Sequence, residues 1–147
     1  MSFEGYSREQ LRQQYVAAWH RRREGLPLSP LDALITDVIA LHPEYQPLLE
    51  DTATAAAFEA GRERGAPDAS QENPFLHMAL HIAVREQLAI DRPPGIAALH
   101  QALRRGPDPH AAEHRLVQAL AETLHEAQHS GRPPDEQRYL ALIRRHL

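Results

Sequence analysis

The strongest constraint on this chain is its punctuation. Twelve prolines and seven glycines divide 147 residues into segments of helical length. Between the breaks the apolar residues recur at helical spacing, and no stretch alternates apolar and polar residues with the period of a strand. Ser29-Pro30, Asn73-Pro74 and Asp108-Pro109 place a capping side chain before a proline, the usual opening of a helix. Gly25 and Gly131 follow two helical runs, where a chain needs to turn. These marks predict an all-α, single-domain antiparallel helical bundle over residues 1–147, with about five to seven helices.

The expected helices follow from the same marks. One runs from Ser7 to Arg23, with Ser7 and Gln10 as a capping box and Leu11, Tyr15, Ala18 and Trp19 as its apolar stripe. The next opens at Ser29 and carries Leu31, Leu34, Ile35, Val38 and Leu41 to His42, where Pro43 disfavours continuation. A turn of helix follows over 44–50. Residues 52–63 are alanine-rich, and 62–72 read as a loop; whether 52–72 is helix, loop or flap stays open. A helix from Asn73 to about Asp91 is apolar on most sides, as a central helix would be. A short helix at Ile96–Leu103, a long one from Asp108 to Ser130 and a final one after Asp135 complete the chain.

Composition narrows the function classes. The net charge is −4 and every basic residue is arginine, so no basic footprint for nucleic acid is present. Without cysteine there are no disulfides, thiolate nucleophiles or sulfur metal ligands. No apolar run approaches the ~20 residues of a membrane span, and no signal peptide is visible at the N-terminus, so a cytoplasmic location is expected. No nucleophile elbow and no phosphate-binding loop occurs. Arg21-Arg22-Arg23, Arg104-Arg105 and Arg144-Arg145 read as solvated helix ends.

Ten histidines remain to be explained. Two pairs at i, i+4 spacing, His77/His81 and His110/His114, lie on core-facing stripes, so the rings of each pair share one helix face. Two such pairs on facing helices would converge four imidazoles, as a metal centre in a bundle does. His42, at the end of an apolar stripe, is a fifth candidate nitrogen. Asp37, Glu86 and Glu113 are candidate ligands or orienting carboxylates for the imidazoles. A third pair, His125/His129, shares its face with Gln118 and Glu122 and reads as solvated surface, as do the single residues His20, His100 and His146.

Several stretches resemble a bacterial family catalogued as domain of unknown function 1841. They are the Asn73–His81 run continuing to Arg85-Glu86-Gln87, His42-Pro43-Glu44-Tyr45, Asp91-Arg92-Pro93-Pro94-Gly95-Ile96, the His110–His114 segment and Ala127-Gln128 followed by Gly131–Asp135. The resemblance is weakest over 52–72. It implies a small all-helical domain and carries no activity.

Three readings of the histidines therefore stand side by side. One is a metal-binding protein, with hydrolytic or oxygen and redox chemistry at a divalent transition metal: Fe, Zn, Mn, Ni or Co. The second is a non-catalytic interaction module with a buried histidine network. The third is a pH-responsive switch. Neither a nucleic acid nor a membrane is expected as partner; a small-molecule substrate, a protein partner and a homodimer all fit the sequence.

Overall fold

A computed structural model describes residues 8–51, 53–57, 74–109 and 111–147. Among them the secondary structure is helical throughout, with no strand, as the sequence pattern requires. The chain divides into two compact units, residues 1–82 and 83–147, and the division falls inside one helix.

The first unit is built on α1 (Arg8–Arg23), α2 (Pro30–Ala40) and a 3₁₀ helix at Pro43–Leu49. It also holds the first part of α3 (Pro74–Ile90). Ser29 caps α2, its hydroxyl accepting from the Asp32 backbone N–H at 3.1 Å, and Pro30 stands at the first helical position. The α1 helix ends on four basic residues, His20 to Arg23, which suit the negative end of its dipole. Beyond it Gly25 adopts φ 71°, a left-handed turn that glycine makes at little strain.

Tyr15, Val16 and Ala18 of α1 pack with Ile35, Val38 and Ile39 of α2, with Leu49, and with Phe75, Met78 and Ile82 of α3. The Tyr15 and Phe75 rings lie parallel, 6.3 Å apart. Each fully buried aliphatic side chain contributes about 1.5–3 kcal/mol relative to exposure. Arg21 crosses from α1 to the buried Asp32 carboxylate of α2 at 2.8 Å, so the buried charge is paired.

The second unit holds the rest of α3 and then α4 (Ile96–Arg104), α5 (Ala111–Ser130) and α6 (Glu136–Arg144). The α5 helix packs on α4 and on α6, and α4 also meets α6. Buried residues from the three are Ile96 and Leu103; Leu116, Val117 and Leu120; and Tyr139, Leu140, Leu142 and Ile143. The Asp91-Arg92-Pro93-Pro94-Gly95-Ile96 run has a structural task. Asp91 sits at φ 50° and its carboxylate accepts the backbone N–H groups of Gly95 and Ala97, holding the entry to α4. Asp135 does the same for α6, accepting from Gln137 and Arg138.

The Ser7 capping box, the Asn73 cap, Thr52 and residues 58–72, most of the alanine-rich segment and its loop, lie outside the described residues. Residues 53–57 are helical.

Candidate metal centre

The site begins with the end of α2. A residue before proline is pushed out of the helical region, and His42 adopts φ −126°, ψ 69°. The last carbonyls of a helix lack backbone partners from within it. The His42 ring turns back onto one of them: Nδ1 stands 2.8 Å from the Val38 carbonyl, four residues earlier. A carbonyl only accepts, so Nδ1 carries the proton, and in the neutral ring Nε2 then presents a lone pair. This is the usual arrangement of a metal-binding imidazole, held by a backbone oxygen behind it.

His77 and His81 come from α3, one turn apart. Their rings meet edge to face with centroids 4.6 Å apart. His77 Nε2 stands 3.2 Å from His42 Nε2 and 3.0 Å from His81 Nε2. One ligand nitrogen from each of the three lies within 4.8 Å of the others. All three rings are buried, with residue exposures of 6% for His42, 8% for His77 and 1% for His81.

The chemistry of this donor set can be tested against a cation. A proton on His77 Nε2 lies along one of its two short nitrogen contacts, not both. A metal in their midst would serve all three nitrogens. With metal–nitrogen bonds of about 2.0–2.1 Å, ligand nitrogens stand roughly 3.3 Å apart in a tetrahedron and roughly 3.0 Å apart in an octahedron. The two short edges match that range, so the residues fit a transition metal.

Tyr45 completes the surroundings. Its ring stacks on His42 with centroids 5.2 Å apart and planes 3° off parallel, and it meets His77 edge-on at 6.3 Å. Neither Tyr45 nor the Val38 carbonyl was a sequence candidate. The three-residue step from His42 across Pro43, one turn of a 3₁₀ helix, was the available signal for Tyr45.

The carboxylate candidates do not join these three rings among the described residues. Asp37 points outward from α2, 56% exposed at its side chain, and pairs with Arg22 at 3.1 Å. Glu113, on α5, takes the Arg85 guanidinium at 2.8 Å. Glu86 is half-buried on α3, in the second unit. No carboxylate joins the histidine group among the described residues. His114 lies on α5 in the second unit and is exposed; His110 lies outside the described residues. His125 and His129 are exposed, as their polar face suggests.

The molecule is thus an all-α protein with a buried cluster of imidazoles as its distinctive chemistry. It belongs to the family described as Domain of unknown function (DUF1841), which matches residues 7–145. No curated protein and no solved structure matches the chain.

Proposed function

We propose that this protein binds a divalent transition metal through Nε2 of His42, His77 and His81. The observation that supports the reading is the approach of His77 Nε2 to both other Nε2 atoms, with the His42 ring held from behind by Val38. Imidazole donors without sulfur or carboxylate favour Zn, Ni, Co or Fe over Mn. Three protein nitrogens with an exchangeable position are the arrangement of hydrolytic zinc sites, where the metal polarises water or substrate.

A second reading rests on the same spacings. At 3.0 and 3.2 Å the nitrogens are also within hydrogen-bonding range, so a metal-free network of imidazoles would be a structural element of the core.

Elemental analysis of the untagged protein decides between them, with a His77→Ala/His81→Ala variant alongside. Stoichiometric metal in the parent and none in the variant is the expected result. Absence of metal after growth in supplemented media and after reconstitution with Zn, Ni, Co and Fe would sink the metal reading and leave the network.

A further inference from the structure

Arginines that the sequence scatters meet at one end of the second unit. Arg115, on the second turn of α5, donates from Nη1 to the His146 carbonyl just beyond α6, at 3.1 Å. Ala102 and Leu103 of α4 line one cleft with Arg115 and His146, about 310 Å³ in volume. Arg104 and Arg105 follow directly on Leu103, Arg144 and Arg145 directly precede His146, and all four are exposed. Leu103 is buried and gives the cleft an apolar wall, while the Arg115 side chain is half-buried. The charges here do not cancel. Asp108 lines the cleft too; even with a carboxylate counted at Leu147, two negative groups stand against five guanidiniums. The ends of α4 and α6 bring about half a negative charge each, and the start of α5 about half a positive one. Glu113, two residues before Arg115, is taken by Arg85. A single arginine at a helix end is a solvated charge, but a cleft walled by one sign of charge concentrates ions of the other.

We propose that this cleft binds a small organic phosphate, with Arg115 as its anchor and Arg104, Arg105, Arg144 and Arg145 as its attracting field. A guanidinium presents five N–H donors in a planar fork that matches the oxygens of a phosphate. The bond to the His146 carbonyl fixes the orientation of the Arg115 fork, so less freedom is lost when a ligand arrives. A doubly charged phosphate gains more from several guanidiniums than a single carboxylate does. The volume lies at the lower end of the range for small-molecule sites, which suits a phosphomonoester with a compact carbon part against Leu103. His42, His77 and His81 belong to the other unit and take no part in this site.

The test follows the backbone amide resonances of the full-length protein while glycerol phosphate, or glycerol alone, is added at constant ionic strength. The expected result is saturable shifts at residues 102–108, 115 and 144–147 with glycerol phosphate and none with glycerol. In Arg115→Gln the affinity should fall about tenfold, the effect of losing one charge-assisted anchor. Arg144→Gln/Arg145→Gln alters only exposed side chains, so it reads the field even where Arg115→Gln does not fold; it should weaken binding about twofold to fivefold. No saturable shift at millimolar glycerol phosphate overturns the proposal, as does unchanged affinity in the folded arginine variants. Equal shifts with glycerol overturn it, because charge would then not be the cause. Shifts that disappear in His77→Ala/His81→Ala place the phosphate at the histidine cluster and overturn it too. Tighter binding of a short oligonucleotide through the same residues makes this a nucleic-acid surface and overturns the small-ligand assignment.

Discussion

Two histidine pairs in this molecule share one spacing and nearly one geometry. His77 and His81 on α3 meet with centroids 4.6 Å apart and planes at 74°; His125 and His129 on α5 meet at 4.3 Å and 67°. Their surroundings differ. The α3 pair is buried and a third ring, His42, stands 5.0 Å from each of its members. The α5 pair is exposed, and no such third ligand joins it among the described residues. The i, i+4 spacing therefore supplies two adjacent imidazoles and nothing more. A buried third donor and a fixed tautomer are what distinguish a candidate centre from a surface pair.

The comparison breaks most sharply under metal. Adding Zn²⁺ at about 1,000 times its dissociation constant should stabilise the parent by about 4 kcal/mol, by mass action on the folded state. Thermal denaturation with zinc or with chelator measures this. The gain should vanish in His77→Ala/His81→Ala and persist in His125→Ala/His129→Ala. Equal responses of the two variants would erase the distinction between the pairs.

Pro43→Ala sharpens the role of the third ring without removing it. Lifting the restriction that proline places on His42 should loosen the Nδ1 bond to Val38. Metal affinity, read by chelator competition, should fall about 10- to 100-fold, the usual effect of losing the bond that orients a ligand. An unchanged affinity would show that the backbone at His42 does not set the site.

Ser29→Ala isolates helix stability from ligand placement. Loss of the cap on α2 should lower stability by about 1 kcal/mol in denaturant titration, while metal stoichiometry stays that of the parent.

The smallest effect concerns a histidine outside both pairs. Burial pushes the His100 ring below its ordinary range, the Arg104 charge adds to this and Glu113 opposes it. The folded state then takes up its proton at lower pH than the unfolded chain does. The contribution to stability is present above about pH 6.5 and is lost as the pH falls below it. Denaturation midpoints should drop less steeply from pH 7 to pH 5 in His100→Gln than in the parent. Identical slopes would remove His100 as a source of acid sensitivity.

Much of the fold was legible because helix boundaries are written locally. Ser29-Pro30, Gly25, Asp135 and Gly131 act within a few residues of themselves, and the structure places α1, α2, α5 and α6 between such marks. The facing of His77 and His81 was legible for the same reason, since one helix fixes both. Asp37 shows a local signal underused: Ile35, Val38, Ile39 and His42 define the buried stripe, and residue 37 falls off it. The partner that holds it outward, Arg22, lies 15 residues away and follows no helical period.

Sequence alone determined that this is an all-helical chain without sulfur ligands, and that imidazoles would be its available metal chemistry. Tertiary structure decided which imidazoles meet. His42 and His77 are 35 residues apart, and their nitrogens stand 3.2 Å from each other where one core cluster gathers Ile35, Val38 and Ile39 of α2 with Met78 and Ile82 of α3 and with Tyr15, Val16 and Ala18 of α1. Periodicity reports the face a residue takes on its own helix. The meeting of two faces depends on packing summed over many side chains, which no local pattern encodes.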